Sequence, residues 1–250
     1  VKSQHTVGAL DELRAATDLP VPIVCAQNGV GNESEALRRF PDVYGICVMC
    51  PCGYLEPGVV EARWHPVSGL LDIGRYPGGV DERAAEIAAA LSGSTFESRP
   101  VPDVMRWKYR KLILNLGNAV QVLCGPQSRR GELSKRLAAE GEACLAAAGI
   151  DVVSVEDDRA RRDASITLPP VGTTGVGGST WQSIVRGAGS IETDYLTGEI
   201  VLLGRLHGVA TPANELVQSL VNDVFANRRT PGEFDESDLL ARLGPGSPNP

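Results

Sequence analysis

Trp107-Lys108-Tyr109-Arg110-Lys111-Leu112-Ile113-Leu114-Asn115-Leu116-Gly117-Asn118-Ala119 is the stretch on which the reading of this chain turns. At 100° per residue, Lys111, Asn115 and Asn118 fall at i, i+4 and i+7, along one side of a helix. Leu112, Ile113, Leu114 and Leu116 surround that line, so the spacing predicts a helix buried almost all round. A buried lysine and two buried carboxamides are costly unless each finds a partner. Two accounts fit. A ligand supplies the partners and the stripe is an active site, or the lysine snorkels out of a core helix while the asparagines bond to nearby backbone. Spacing leaves both open.

Around that helix, 250 residues can hold two modest domains or one large one. Hydrophobic content of 42% and charged content of 22% are ordinary for a globular protein. A net charge of −7 argues against nucleic acid or an anionic membrane as the main partner, while local basic pockets for a small anion stay open. No apolar run approaches the roughly 18 to 20 residues that span a bilayer, and the first residues carry no signal-peptide pattern. Six cysteines are present. In a chain with enough apolar content for a core they read as reduced thiols rather than a disulfide framework. Cys47, Cys50 and Cys52 form a C-x-x-C-x-C cluster, but no second pair at ligand spacing accompanies it, so no metal is expected. The opening Val1-Lys2-Ser3 reads like the end of a strand.

Upstream of the helix the chain has α/β character. Residues 11–16 read as a short helix, and Ile23–Cys25 with Ala26 as a brief buried strand. That strand leads into Gln27-Asn28-Gly29-Val30-Gly31-Asn32-Glu33 and a helix over 34–40. A strand, a glycine turn and a helix make the arrangement in which α/β folds seat ligands beyond the strand's carboxyl end. An ordinary strand-to-helix turn accounts for it equally. Val43–Met49 is a further strand candidate, 59–64 and 69–74 alternate like antiparallel strands, and 81–91 is an amphipathic helix.

Downstream the pattern is helical. Residues 131–148 have helical spacing and end at Gly149, a natural C′ residue. Residues 156–163 are charged and read as a helix or its edge. The Gly-, Thr- and Pro-rich loop over 166–179 resembles a phosphate loop only in its glycines, and without Gly-Lys-Ser/Thr it excludes an NTPase. Ser179 stands where an N-cap belongs, and a helix start preceded by glycines is also a seat for a carboxylate; both readings stay open. A long helix is expected over 191–206 with Glu192 in its first turn, where the helix dipole favours an acid. His207-Gly208 closes it, and Thr211-Pro212 opens the next as N-cap and N1. After Arg229 comes a Pro- and Gly-rich tail with one amphipathic piece at 239–243, and 244–250 is expected to be disordered.

Together these pieces resemble the ketopantoate reductase (2-dehydropantoate 2-reductase) family. The carriers are Gln27-Asn28-Gly29-Val30-Gly31, Trp107 through Lys111-x-x-x-Asn115, and Gly178-Ser179-Thr180-Trp181-Gln182. They continue in Glu192-Thr193-Asp194-Tyr195-Leu196-Thr197-Gly198 and His207-Gly208-Val209-Ala210-Thr211-Pro212. The resemblance implies an α/β plus all-α fold: an incomplete Rossmann domain for NADP (NADPH) over 1–101, a helical domain of the 6-phosphogluconate dehydrogenase C-terminal type over 102–230, and a tail over 231–250. The substrate cleft would lie between the domains.

The resemblance also implies roles. Lys111 would be the proton donor, Asn115 and Ser179 would hold the substrate with Asn118, Lys2, Asn28 and Gly29 would line the cofactor, and Glu192 would lie beside the cofactor and the reacting carbonyl. The residue types suit the reaction. Hydride arriving at a ketone carbon leaves an alkoxide, which needs a proton and nearby positive charge, and a partly desolvated lysine supplies both. Three departures stand out. The G-x-G-x-x-G fingerprint expected upstream of Val1 is absent, about 60 to 70 residues on family expectation. Ala119 stands where the family commonly has a second asparagine, with Asn118 near the same face. The segment before Glu192 is one residue longer than usual. The expectation is a cytoplasmic NADPH-dependent reductase of a small 2-oxo acid, first 2-dehydropantoate, with no nucleic-acid or membrane partner and a homodimer left open. Its rivals are a reductase of another branched 2-oxo acid and a non-catalytic remnant that has lost nucleotide binding.

Overall fold

The computed structural model describes residues 1–167 and 177–244. Residues 168–176 of the glycine-rich loop and the tail 245–250, on which two readings above rest, lie outside the described residues. The chain divides into two compact units, residues 1–112 with 152–173, and residues 113–151 with 174–250. The architecture is a Rossmann-like α/β part followed by a helical part, as the resemblance implied.

In the first unit the strands are β1 (Ile23–Cys25), β2 (Val43–Met49), β3 (Cys52–Gly53), β4 (Glu61–Ala62), β5 (His65–Pro66), β6 (Gly69–Arg75), β7 (Phe96–Glu97) and β8 (Ile166–Thr167). The main sheet has the order β1-β2-β6-β7. β1 runs parallel to β2 with Ile23 opposite Val43, β2 runs antiparallel to β6, and β6 runs parallel to β7. β2 is apolar throughout because both of its faces are covered. Tyr44 and Ile46 point to the side where Ile73, Ala84 and Ala88 pack. Cys47 and Met49 point to the other, against Val101, Val104 and Trp107. At the β1 edge, Leu10 of α1 (Thr6–Ala16) and Ala36 of α2 (Asn32–Leu37) bury Cys25, Phe40 and Val43.

The helix α3 (Glu82–Ser92) starts at Asp81, whose carboxylate accepts the Ala84 N–H at 2.9 Å, the Tyr44 hydroxyl at 2.8 Å and Arg75 at 2.8 Å. The cap is thereby bonded to the sheet. Residues 69–75 form β6, antiparallel to β2, and of 59–64 only β4 is extended, antiparallel to β3. Residues 59–62 are all exposed, so their alternation faces no core.

Helix α6 (Val155–Asp163) belongs to the first unit although it follows much of the helical region. Arg161 holds it there, donating Nε and Nη2 to the two oxygens of Asp72 on β6 at 2.8 and 2.9 Å, and Nη1 to Glu97 at 2.7 Å. Such a two-pronged, buried guanidinium–carboxylate pair is among the strongest polar contacts available.

The long helix α4 (Val104–Cys124) contributes residues 104–112 to the first unit and 113–124 to the second. From Leu112 to Leu123 every residue is buried except Leu114. In the second unit, α5 (Glu132–Ala147), α8 (Thr197–His207) and α9 (Pro212–Ala226) pack on one another, with α10 (Glu236–Leu243) against α5. Leu137, Leu145, Ile200, Val217, Val221 and Leu239 fill the interior. Gly141 on α5 permits the close approach: a Cβ there would sit 2.6 Å from Ile113 Cδ1 and 3.4 Å from Ile200 Cδ1.

Thr211 and Pro212 do open α9, but the Thr211 side chain makes no cap bond. Glu140 of α5 does that work, accepting the Ala213 and Asn214 N–H groups at 2.8 and 2.9 Å. The single long helix expected over 191–206 is broken into a 3₁₀ turn, Thr193–Tyr195, and α8, with non-helical backbone at Leu196 (φ −117, ψ −83). The break turns Leu196 into the core at 3% exposure and sets Gly198 against Gln218, whose Nε2 is 2.6 Å from where a Cβ would stand. Among the described residues no helix is long and apolar enough to cross a membrane.

Candidate active site

The β1–α2 turn is held from several sides. Gly29 has φ 80, a left-handed conformation that side chains resist. The Asn28 carbonyl accepts Ser3 Oγ at 2.8 Å and Asn32 Nδ2 at 2.9 Å. Thr6 Oγ1 in turn donates to Asn32 Oδ1 at 2.7 Å. Lys2 precedes this network as the residue capping a 3₁₀ turn, Ser3–His5, and its carbonyl accepts the His5 N–H. With its backbone clamped, Asn28 presents its carboxamide to α4, where Lys111 Nζ donates to Oδ1 at 2.6 Å. Lys111 is half-buried, and Lys111, Asn28, Gly29 and Lys2 lie within one unit.

A second lysine ends on the same turn. Lys108, one helical turn before Lys111, donates to the Gln27 carbonyl at 3.2 Å and to the Glu33 carboxylate. Both side chains are almost wholly buried, at 3% for Lys108 and 0% for Glu33. The sequence reading overlooked this pair. Its signal was available in the i, i+3 spacing of Lys108 and Lys111.

In the second unit, Asn115 and Asn118 are buried at 8% and 5%, and Asn118 Nδ2 faces Asn115 Oδ1 at 3.4 Å. Asn118 Oδ1 is buried with no hydrogen-bond partner among the described residues. It lies against Gly178, where a Cβ would stand 2.6 Å from it and 3.0 Å from Gln121 Oε1. Gln121 accepts the Gly178 N–H at 2.9 Å and donates to the Pro126 carbonyl at 2.6 Å. Gln121 and Gly178 were given no role from sequence, because only tertiary contact reveals the grip.

Two placements correct the sequence reading. Ser179 is the first residue of α7 (Ser179–Val185), not its N-cap; Gly178 is the cap, in extended backbone, and makes no side-chain bond. Ser179 is exposed, its carbonyl accepts Ser183 Oγ at 2.8 Å, and it is Gly178 that meets Asn118. Glu192 is not in the first turn of a long helix. It caps the 3₁₀ turn with φ −97 and ψ 14, and it is buried at 7%.

Cys47 lies on the inward face of β2, where burial pushes its thiol up to about 11, Lys111 and Lys108 opposing. Cys50 and Cys52 lie just beyond the strand, half-buried. Among the described residues no three His, Cys, Asp or Glu side chains converge to hold a metal ion.

Comparison with known proteins bears on this arrangement. The profile "Ketopantoate reductase PanE/ApbA" matches residues 1–78, and its companion for the C terminal of the same proteins matches residues 103–225. The 2-dehydropantoate 2-reductase of Halobacterium salinarum is 28% identical over 234 residues, covering 88% of this chain and 73% of that protein. The 2-dehydropantoate 2-reductase of Pyrococcus horikoshii is 30% identical over 107 residues, covering 42% of this chain and 35% of its own length. A crystal structure of a PanE/ApbA family ketopantoate reductase from Ralstonia eutropha superposes with a TM-score of 0.72 at 26% identity, covering 91% of this chain and 74% of that one. D-mandelate dehydrogenase in complex with NADH shares the fold, with a TM-score of 0.74 at 20% identity over 92% of this chain and 78% of its own. With one profile matching the α/β part, its companion the helical part, and relatives of the same name along most of its length, the chain belongs to the ketopantoate reductase family of oxidoreductases.

Proposed function

We propose that this chain reduces a small 2-oxo acid, 2-dehydropantoate first among them, with NADPH as the reductant. Residues 1–101 would serve the cofactor and 102–230 the substrate. The observation that carries the reading is the Lys111 ammonium held 2.6 Å from Asn28 Oδ1, at the carboxyl end of a parallel strand.

The partner's chemistry matters. Lys108 is neutralised by a carboxylate and therefore reads as structural. Lys111 donates to a neutral carboxamide, which fixes one N–H direction. An oriented cation suits a carbonyl oxygen that becomes negative. Lys111 would attract that oxygen and hand its proton to it, and Glu192 would orient the substrate hydroxyl or the lysine. Asn115, Asn118 and Ser179 would hold the substrate, and Asn118 Oδ1 is an acceptor without a donor among the described residues.

The turn fits a dinucleotide. Lys2 brings positive charge, Gly29 allows close backbone approach at φ 80, and Gln27 Oε1 is a buried acceptor with no partner among the described residues. The bound nicotinamide would supply the hydride. The test is NADPH oxidation by the full-length protein across a panel of 2-oxo acids, with Lys111→Ala alongside. Lys111→Ala is expected to lower kcat by about 10² to 10⁴ while cofactor affinity holds. Unchanged turnover removes the proton donor, and no turnover of any 2-oxo acid by the wild type removes the function.

A further inference from the structure

β2 ends at Met49, and the chain leaves the sheet through Cys50-Pro51-Cys52 before β3 begins at Cys52. Proline has no N–H with which to continue a ladder and fixes its own φ, so the segment is both released from the sheet and stiff. In extended chain, residues i and i+2 face the same way. The two thiols accordingly meet, with Sγ–Sγ 3.1 Å, and Cys50 Sγ also contacts the Ser68 carbonyl at 3.5 Å. Both are half-buried, unlike Cys47, Cys25 and Cys144, at 4%, 2% and 0% exposure.

We propose that Cys50 and Cys52 form a thiol–disulfide exchange site that accepts low-molecular-weight disulfides and closes to a Cys50–Cys52 bond. The Cys52 thiolate attacks one sulfur of the incoming disulfide. That S–S bond breaks, one thiolate leaves and takes up a proton, and Cys52 carries the mixed disulfide. Cys50 then gives up its proton and attacks Cys52 Sγ, expelling the second thiolate. Two protein thiols are oxidised and the small disulfide is reduced to two thiols.

The order of attack follows from the surroundings. Burial first, then the contact with Cys52, pushes the Cys50 thiol up to about 12, with Lys111 opposing, which disfavours attack by Cys50. Closure asks the sulfurs to approach by about 1 Å, to roughly 2.05 Å. A ring spanning a single intervening residue is strained, and strained disulfides are the readily reduced ones, so the bond should be reversible.

The test treats the reduced full chain with excess glutathione disulfide in mildly alkaline buffer and follows intact mass and peptide maps. The wild type should lose two hydrogens without retaining glutathione, map to a Cys50–Cys52 link, and return to its starting mass with dithiothreitol. Cys50→Ser should stop as a glutathione adduct on Cys52. Cys52→Ser should show no adduct in the time that Cys50→Ser is fully modified. A wild type that keeps glutathione, stays unmodified, or links other cysteines overturns the proposal, and the wild-type mass alone suffices if either variant fails to fold.

Discussion

Lys108→Met should destabilise the first unit severely, and a second substitution should largely reverse the loss. In the wild type the Lys108 and Glu33 side chains are 3% and 0% exposed, so neither charge is shared with water. Removing the ammonium strands a carboxylate whose Oε2 already lacks a donor. An uncompensated buried charge of this kind costs about 3–5 kcal/mol. Replacing both partners, as Lys108→Met with Glu33→Met, removes the charge along with its counter-charge. What remains is the Gln27 carbonyl without its lysine donor, about 1 kcal/mol, against a near-neutral apolar replacement. Hydrogen exchange read by mass spectrometry on peptides covering Ile23–Cys25 and Val43–Met49 reports opening of the sheet beside the pair. Protection there should fall by about 10² to 10⁴ in the single variant, and by less than about thirtyfold in the double. A double variant that loses as much as the single would refute the reasoning, because the two side chains would then not be compensating one another.

Asp81→Ala removes the α3 cap and should cost about 0.5–2 kcal/mol near neutral pH. The Ala84 N–H first, then Arg75 and Tyr44, hold the Asp81 carboxyl below its usual range, with burial opposing. A depressed folded value means stability that is full above the unfolded pKa of about 3.9 and is lost as pH falls through the folded one. Thermal melts should therefore show the gap to wild type closing below about pH 4. Glu140→Ala leaves two N–H groups at the start of α9 without their acceptor and should cost about 2 kcal/mol in urea unfolding, with Glu140→Gln recovering part of it. Gly141→Ala drives a methyl to 2.6 Å from Ile113 Cδ1 and should cost about 1–3 kcal/mol; adding Ile113→Val should return some of it if that contact is the cause.

How much of this was legible beforehand depended on whether the deciding force was local. Val43–Met49 reads as a strand because both faces are apolar, and α3 and α5 read as helices because one stripe is. Gly149 ends α5 with φ 65, as its lack of a Cβ suggested. Failures fall where a distant partner decides. Nothing near Thr211 says that a glutamate on α5 will cap α9. Nothing near Arg161 says that its partner, Asp72, lies on β6 and will hold α6 in the first unit. The 59–64 alternation acquires no buried face at 59–62, and only Glu61–Ala62 is extended there.

The site obeys the same division. Lys108, Lys111, Asn115 and Asn118 fall within a stripe about 80° wide on α4, at 100° per residue, so the polar line begins one turn earlier than the residues first noticed. Pattern alone makes the two lysines equivalent. Their partners separate them, and both partners come from the same short turn: Glu33 opens α2, where the helix dipole alone would explain an acid, and Asn28 precedes a glycine that only a turn needs. Lys108 meets a buried carboxylate, while a carboxamide aims Lys111. The first lysine therefore braces the turn through Gln27, the residue next to Asn28, and the second is held at the angle that bracing sets.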